Sequence, residues 1–560
     1  MKPFARLSLI AGLAIAPLTL IASTAVVHQA AAQAPQMSAE QRAALAAAIK
    51  PTEMFATMRD GTVLAANVYL PKGTGPFPVV LSRTPYIKDQ ETGPLSAKRY
   101  LDAGYAYVIQ DVRGKGHSKG FYQAFVNDVE DGYDTVEWVA AQPWSNGKTG
   151  MVGASALGIT TNMAAMAAPP HLTAAYVIVA PYDMLQNTYM GGVLKDKDTI
   201  GWLTGQGYTA AQLKPTYEQV TDSIFWNQRS MSANRKYIRI PMYNDGGWYD
   251  IFNHGNVDNF EWLQTHGSKG AKGNQKLRMG PIGHGPLTGD LEYPAWADYS
   301  KTANEEMRWW DYWLKGVDNG IMKEPPVTYM MMGSARKGAP SSDNKVVHAA
   351  GWTPASHAVS YYLTPAKGLT TVAPTAAAGK ISYRFDPKDP VKTYGGANLT
   401  FERGPMDQRA IPARQDYIRF QTAPLTIGGH LTVKLWASTD GPDTDFVAKV
   451  VDVYPDGYEA LVLDAPIRAR YRNGRMPDDV KMMTPGKPEP LTIDLWNTAI
   501  TIAKGHRLAV HITSSNAPRF DVNATDGAAP GAKTNPRVAT NTLWLDKAHP
   551  SALIVPVLNK

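Results

Sequence analysis

The sequence contains no cysteine. Disulfide bonds, thiolate catalysis and cysteine-ligated metal sites are therefore excluded. The surplus of positive charge is also small, because 56 lysines and arginines stand against 49 acids in 560 residues, which leaves a net charge of +7. The chain has no run of lysines and arginines of the kind that binds nucleic acid. We therefore expect no nucleic acid among its partners.

The first 32 residues have the pattern of a secretory signal peptide. Lys2 and Arg6 form the positive end, residues 7–27 are mostly apolar, and residues 30–32 are alanines that suit a cleavage site. A membrane anchor is the alternative, which Pro17 and the cleavage pattern disfavour. We expect a periplasmic or secreted protein with no membrane contact after cleavage. The net charge then falls to +5, because the segment carries two basic residues and no acid.

Short apolar runs alternate with a helical pattern in residues 45–182. Residues 79–81, 107–109 and 176–179 are continuous apolar runs, which are typical of strands buried on both faces. Residues 128–141 between them have helical spacing. This alternation predicts a parallel sheet covered by helices on both faces. In such sheets the chemistry lies at the carboxyl ends of the strands.

The residue pattern changes in the rest of the chain and divides it into further segments. Residues 183–236 are mainly helical and rich in aromatics, which favours a cap over the active site; a helix pair that covers the sheet is the alternative. The strand pattern returns in residues 237–337. Residues 338–560 then contain short alternating strands separated by turns, which predict an all-β jelly-roll domain. The predicted fold class is α/β, with a helical cap insertion and a C-terminal β-sandwich.

One turn carries the pattern of a serine nucleophile. Ser155 lies between Gly153 and Gly158, after an apolar run and before an alanine- and methionine-rich segment. A sharp strand-to-helix turn exposes the serine Oγ, and small neighbours let the backbone approach closely. The start of the helix also offers free N–H groups to a developing oxyanion. We predict that Ser155 is the nucleophile; an ordinary glycine turn is the alternative, since the spacing departs from Gly-x-Ser-x-Gly.

Asp250 and His284 complete a triad with Ser155. Each follows an apolar strand, and the order serine, acid, histidine is that of α/β-hydrolases. A serine hydroxyl becomes reactive when a base takes its proton, and histidine suits this role because its pKa lies near neutral pH. A carboxylate on the other ring nitrogen sets the tautomer and stabilises the imidazolium. Asp245 is the alternative acid, and a surface-loop role is the alternative for His284.

A series of motifs in a fixed order carries a resemblance to a known family. The motifs are residues 83–86, 111–116, 131–138, 142–148, 247–250, 280–284, 443–446, 454–457 and 468–472. With these motifs the chain resembles the cocaine esterase, glutaryl-acylase and X-Pro dipeptidyl-peptidase group of serine hydrolases, from about residue 54 to residue 523. The resemblance implies an α/β-hydrolase core, a helical cap and a C-terminal jelly roll.

The resemblance also implies roles for single residues. It places the triad at Ser155, Asp250 and His284, and an oxyanion hole at the Tyr86 hydroxyl and the Ala156 N–H. A packed loop aromatic is the alternative for Tyr86. The family usually carries an aromatic side chain where this chain has Ala156, and the missing ring should widen the pocket.

Neutral residues follow the predicted triad acid. Residues 251–254 contain no acid that could hold a substrate ammonium group. Trp248 and Phe252 are the expected apolar walls of the pocket. We therefore expect neutral acyl groups to be preferred over α-amino acyl groups.

These patterns predict an exported serine hydrolase. It would cleave a small-molecule ester or amide through an acyl-enzyme, without a cofactor and without a metal. An exopeptidase of the X-Pro dipeptidyl-peptidase type is one alternative, and a non-catalytic carbohydrate-binding protein is an alternative of another class. A homodimer and a tetramer both remain open.

Overall fold

The structure is a computed structural model of the chain. It describes residues 38, 40, 44, 47–89, 92–297, 304–336, 338–352, 356–422, 426–530, 532 and 534–559. The predicted signal peptide, residues 1–32, lies outside the described residues. Within the described ranges, no helix combines the length and the apolar character that crossing a membrane requires.

The first part of the chain builds one large sheet covered by helices. In chain order its strands and the short hairpins beside it are β1 (Thr52–Thr57), β2 (Val63–Tyr69), β3 (Phe77–Thr84), β4 (Ala106–Asp111), β5 (Ser145–Ala154), β6 (Leu172–Ile178), β7 (Tyr189–Met190), β8 (Val193–Leu194), β9 (Met242–Tyr249), β10 (Lys276–Gly283), β11 (Val327–Met331), β12 (Ala335–Arg336), β13 (Ala339–Pro340) and β14 (Lys345–Ala349). The described sheet has the order β1-β2-β4-β3-β5-β6-β9-β10-β11-β14. Its central pairs, from β4 to β11, are parallel. The pairs at both edges are antiparallel.

The parallel arrangement brings the carboxyl ends of β3, β5, β9 and β10 to the same edge of the sheet. Strand β14 also pairs with β11 in this sheet. The predicted domain boundary at residue 337 therefore falls before the last strand of the sheet.

Helices cover the sheet and form the region above its carboxyl edge. They are α1 (Thr92–Asp102), α2 (Asp128–Ala140), α3 (Ala156–Met166), α4 (Met184–Thr188), α5 (Gly201–Gly205), α6 (Ala210–Glu218), α7 (Ile224–Asn227), α8 (Met231–Asn234), α9 (Asn253–His266) and α10 (Asn304–Lys315). One π-helical turn covers Asp196–Ile200, and 3₁₀ turns cover Arg235–Tyr237, Ala295–Ala297, Ile321–Lys323, Gln408–Ala410, Ala469–Tyr471 and Pro477–Asp479.

Small residues allow the helices to lie close to their neighbours. A Cβ atom at Gly132 of α2 would lie 2.7 Å from Cβ of Ala164 of α3. On the other face, a Cβ at Gly150 of β5 would lie 2.6 Å from the ring of Trp310, which α10 buries against the sheet. Side-chain volume at these positions is therefore limited by packing.

The C-terminal part is a two-sheet β-sandwich. Its strands are β15 (Ser356–Leu363), β16 (Leu369–Thr370), β17 (Lys380–Phe385), β18 (Ile418–Gln421), β19 (Thr426–Thr439), β20 (Asp445–Val453), β21 (Glu459–Arg468), β22 (Glu489–Thr501), β23 (Arg507–Thr513), β24 (Ala539–Trp544) and β25 (Ala552–Leu558). One sheet has the order β16-β15-β25-β19-β24-β17, with β22 also on β19, and the other has the order β18-β23-β20-β21. Alternate residues fill the interior, as the period of a strand requires: Leu431, Val433, Leu435, Leu491, Ile493, Leu495, Leu508, Val510 and Ile512 are all buried.

The sandwich contacts the short helices and the hairpin of residues 183–236. The backbone N–H of Arg468 donates to the carbonyl of Gly191, between β7 and β8, at 2.8 Å. Arg475 Nη1 donates to the carbonyl of Tyr189 at 2.8 Å, and Arg475 Nη2 donates to that of Val220 at 2.5 Å. The segment predicted as a cap is thus bound to the C-terminal domain by hydrogen bonds to its main chain.

Candidate active site

Ser155 occupies the sharp turn between β5 and α3. Its backbone dihedrals are φ 57° and ψ −125°, a region that non-glycine residues rarely adopt. The turn is tight enough that a Cβ at Gly153 would lie 2.2 Å from the backbone of Leu157, and one at Gly158 would lie 2.8 Å from Cβ of Ala180. The two glycines therefore permit the turn that carries the serine.

His284 joins Ser155 to Asp250. The Nε2 atom of His284 lies 2.7 Å from Ser155 Oγ, and its Nδ1 lies 2.8 Å from Asp250 Oδ2. Asp250 is completely buried and also accepts a hydrogen bond from the Phe252 N–H at 2.8 Å. The Asp250 carboxylate accepts the hydrogen bond, so the proton of the imidazole lies on Nδ1. The Nε2 atom is then unprotonated and can accept the serine proton. The three predicted residues lie together in an unbroken chain of hydrogen bonds.

Asp245, the alternative acid, is engaged elsewhere. It forms a buried ion pair with Arg278 and lies 3.3 Å from the hydroxyl of Tyr176. Its position within β9 directs the carboxylate to this pair, whereas Asp250 follows the end of the strand.

Tyr86 lies beside Ser155. Its hydroxyl forms a hydrogen bond with the side chain of Ser155, and it accepts another from Trp202 Nε1 at 2.9 Å. Burial raises the pKa of Tyr86, so the hydroxyl keeps its proton at neutral pH. Ala156 is buried and is the first residue of α3, where helix N–H groups lack partners within the helix. Both residues are therefore within the neighbourhood where an oxyanion would form.

A cavity of about 310 Å³ adjoins Ser155. The helices of residues 183–236 supply much of its wall, and Leu399 of the C-terminal domain also lines it. Its aromatic lining consists of Phe125, Trp202, Tyr208, Phe225, Trp226 and Phe252. The cavity is thus large enough for a bulky acyl group and is mainly apolar.

Of the two residues predicted as pocket walls, one lines the cavity and the other does not. Phe252 lines the cavity, and its ring meets the His284 ring edge-on with centroids 5.3 Å apart. The prediction for Trp248 was wrong, because this residue is 1% exposed and packs away from the cavity against Tyr329 and Trp352. Its indole N–H donates to the carbonyl of Met330, which fixes it in the core.

Charged side chains also line the cavity, and the sequence analysis did not identify them. Lys195 is fully buried, donates to Asn187 Oδ1 at 2.8 Å, and burial lowers its pKa to about 8. Burial likewise lowers the pKa of Arg229 to about 10. Asp198 is the only acid among the described residues of the lining; it accepts from the Leu399 N–H at 2.9 Å. Cations therefore outnumber carboxylates around the cavity.

One group outside the cavity offers metal-ligand atoms. Among the described residues, Glu53, Asp89 and His117 have such atoms within 4.8 Å of one another. The ammonium group of Lys88 lies 2.7 Å from Glu53 and 3.0 Å from Asp89. Lys88 pairs with both carboxylates, and His117 Nδ1 lies 2.6 Å from Glu53, so this cluster is an ion-pair network of the surface.

Comparison with known proteins defines the family. Residues 60–223 match the family model described as X-Pro dipeptidyl-peptidase (S15 family). Residues 319–554 match the model described as the X-Pro dipeptidyl-peptidase C-terminal non-catalytic domain. The chain belongs to this family. It is a serine hydrolase, of the esterase or peptidase kind, and the resemblance inferred from the sequence motifs is confirmed.

Individual relatives extend this match over nearly the whole chain. The cocaine esterase of Rhodococcus sp. (strain MB1 Bresler) is 29% identical over 91% of this chain and 98% of its own. The crystal structure of an aminopeptidase from a marine sediment archaeon, Thaumarchaeota archaeon, has a TM-score of 0.77 at 23% identity over 91% of this chain and 97% of that one. An α-amino acid ester hydrolase labelled with selenomethionine has a TM-score of 0.74 at 24% identity over 97% of this chain and 100% of that one. These structures share the fold, and the predicted fold class is confirmed.

Proposed function

We propose that this S15-family chain is an exported hydrolase that cleaves a small ester or amide through an acyl-enzyme. The observation that carries the proposal is the chain of hydrogen bonds from Ser155 through His284 to Asp250, at 2.7 Å and 2.8 Å. A nucleophile joined to a base, and a base joined to an orienting acid, is the arrangement that acyl transfer needs.

The proposed reaction follows from these contacts. Ser155 Oγ bonds to the substrate carbonyl carbon while His284 Nε2 takes the hydroxyl proton. Asp250 stabilises the imidazolium through Nδ1–H. The imidazolium then gives its proton to the leaving alcohol or amine. The same histidine then takes a proton from water as the water oxygen bonds to the acyl carbon. The bond from that carbon to Ser155 Oγ breaks, the imidazolium returns the proton to Oγ, and the acid leaves.

Tyr86 and Ala156 are the proposed oxyanion donors. The Tyr86 hydroxyl accepts from Trp202 Nε1 and also contacts the side chain of Ser155, so it is held beside the attacking oxygen and would donate to the oxyanion as the tetrahedral intermediate forms. The N–H of Ala156 supplies the second donor, supported by the positive end of α3. Both hydrogen bonds become stronger as the carbonyl oxygen gains negative charge in the transition state.

A preference for neutral over α-amino acyl groups is part of the proposal. Lys195 and Arg229 add positive charge to the cavity lining, which opposes an ammonium group. Asp198 argues against this preference, because its Oδ2 is buried without a hydrogen-bond partner in the described structure and could receive an ammonium group. An exopeptidase of the X-Pro type would use such a carboxylate to hold a free amine. Arg519 Nε lies 3.9 Å from Asp198 Oδ2 and partly compensates its charge, which favours the esterase or acylase.

The family membership removes the alternative of a non-catalytic carbohydrate-binding protein. Export to the periplasm or the medium stays a proposal and depends on residues 1–32. The N-terminal sequence of the mature protein would test it.

One experiment tests the activity and the acyl preference together. The wild-type chain should react with a fluorophosphonate, and Ser155→Ala should lose both labelling and turnover, by on the order of 10⁴ to 10⁶ in kcat. Phenylacetyl and phenylglycyl esters of one alcohol, compared below the pKa of the ammonium group, should differ by at least about tenfold in kcat/KM in favour of the phenylacetyl ester. Labelling that survives in Ser155→Ala would place the nucleophile elsewhere. Equal or better cleavage of the phenylglycyl ester would favour Asp198 as an amine-binding residue and the peptidase.

A further inference from the structure

The glycines on both sides of His284 leave room for a side chain from the C-terminal domain. A Cβ atom at Gly285 would lie 2.4 Å from Nη1 of Arg403, and a Cβ at Gly283 would lie 3.2 Å from its Cδ. Gly285 also has a φ of +147°, which side-chain-bearing residues rarely adopt. The glycine-histidine-glycine sequence therefore accommodates an arginine that is distant in the chain.

The guanidinium group of Arg403 holds two main-chain carbonyls. Its Nη1 donates to the carbonyl of His284 at 2.8 Å, and its Nη2 donates to the carbonyl of Leu399 at 3.0 Å. Leu399 lines the cavity, and its N–H donates to Asp198. One planar group thus connects the backbone of the predicted base with the wall of the acyl pocket.

The loop that carries Arg403 is itself fixed in place. The Arg403 N–H donates to Thr288 Oγ1 at 2.9 Å, and the Thr288 N–H donates to the Arg403 carbonyl at 2.9 Å. At the base of the loop, Asn398 Nδ2 donates to the carbonyls of Gly395 and Glu402. Arg403 is therefore held by its own backbone while its side chain holds the histidine loop.

We propose that Arg403 is a positioning residue for His284, supplied by the domain whose family model is described as non-catalytic. The inference rests on the proposed role of His284 as the base. Arg403 acts through the main chain of His284, and by fixing that backbone it keeps Nε2 within 2.7 Å of Ser155 Oγ. Displacing a reacting group by about 1 Å can cost on the order of 10² in rate.

Replacement of Arg403 by methionine tests this role. R403M keeps an unbranched stem against Gly283 and removes both donors, and R403K keeps the charge but loses the planar fork. Arg409→Met is the matched control, because Arg409 belongs to the same domain, is half exposed and pairs with Asp407. For each full-length variant, kcat and KM for a short 4-nitrophenyl ester and the rate of fluorophosphonate labelling would be measured. The kcat would also be measured in added guanidinium chloride, at concentrations below those that unfold the chain. Circular dichroism would report folding.

We expect R403M to lower kcat and the labelling rate together by about ten- to hundredfold, with KM changed by less than about threefold. Guanidinium ions should restore part of the activity of R403M and none of that of R409M. The kcat and the labelling rate of R403K should lie between those of R403M and those of the wild type. A folded R403M with wild-type kcat and labelling would overturn the proposal, as would equal losses in R409M. If R403M does not fold, wild-type labelling in folded R403K would overturn it, since a point charge cannot replace two fixed donors. A wild-type chain that reacts with neither probe would instead contradict the proposed function.

Discussion

Replacing Tyr86 by phenylalanine isolates one hydroxyl group. The ring keeps its packing beside the buried cluster of the sheet, and the hydrogen bonds to Ser155 and Trp202 are lost. If the hydroxyl donates to the oxyanion, its contribution appears in the transition state and not in the bound substrate. We therefore expect kcat to fall while KM changes little.

The size of the effect follows from the number and kind of contacts removed. Loss of one oxyanion donor costs roughly 10² to 10³ in kcat, or about 2.7–4 kcal/mol. The N–H of Trp202 also loses its acceptor, which should lower the free energy of unfolding by at most about 1–3 kcal/mol. The loss of rate should thus be clear while the chain remains folded.

A double-mutant cycle with Trp202→Phe separates the two contacts of Tyr86. Trp202 also lines the cavity and stacks on Phe125, with centroids 5.6 Å apart, so its replacement should change KM in either background. Its effect on kcat should require the Tyr86 hydroxyl, because in Y86F there is no donor left to orient. The two substitutions should therefore couple in kcat by about 0.5–3 kcal/mol.

The assay is the hydrolysis of a 4-nitrophenyl ester at neutral pH, with the rate of fluorophosphonate labelling as a second measure. Because burial raises the pKa of Tyr86, its ionisation should not reduce the wild-type rate below a pH of about 10. Normal kcat in Y86F would refute the oxyanion role and leave Tyr86 as a packed loop aromatic. Purely additive effects of the two substitutions on kcat would show that Trp202 does not act through Tyr86.

Two further substitutions test the turn and a buried charge. Gly153→Ala should abolish labelling, because its Cβ would lie 2.2 Å from the backbone of Leu157. Gly201→Ala is the control and should be labelled normally, because the space within 4 Å of its Cβ is open. Labelling of both variants would contradict the steric account of the turn. Lys449→Met should remove a pH dependence of stability: burial lowers the pKa of Lys449 from 10.5 to about 8, so the unfolded chain binds more protons between these values and the free energy of unfolding rises with pH there. Urea unfolding at pH 8 and at about pH 9.5 should show a smaller rise for Lys449→Met than for the wild type, with the exposed Lys487→Met as control; an unchanged rise would exclude Lys449 as its source.

Local patterns were sufficient to predict the sharp turn at Ser155 and to place the three proposed triad residues at strand ends. Glycines around Ser155 reflect steric limits that act within a few residues, so the sequence records them directly. The apolar runs that precede Asp250 and His284 likewise place these residues at strand ends. Parallel pairing then brings strand ends to one edge, so the three residues could be expected to meet before any coordinates were considered.

The pocket could not be predicted in the same way. Trp248 and Phe252 are separated by only four positions and are both aromatic, yet one lies in the core and the other lines the cavity. Their orientations depend on where β9 ends and on what packs against it. The charged lining residues Lys195 and Arg229 carry no local signal either, because burial of a cation is decided by elements distant in the sequence.

The sequence by itself therefore determined the order of the secondary-structure elements, the family, and the three residues that stand at strand ends, because strand period and turn sterics act over short distances. Only the tertiary structure decided what surrounds these residues. Trp202 meets Tyr86 across 116 residues, and Arg403 meets the carbonyl of His284 across 119. Such contacts depend on how the cap and the C-terminal domain dock on the sheet, and no periodicity within a single segment encodes that docking.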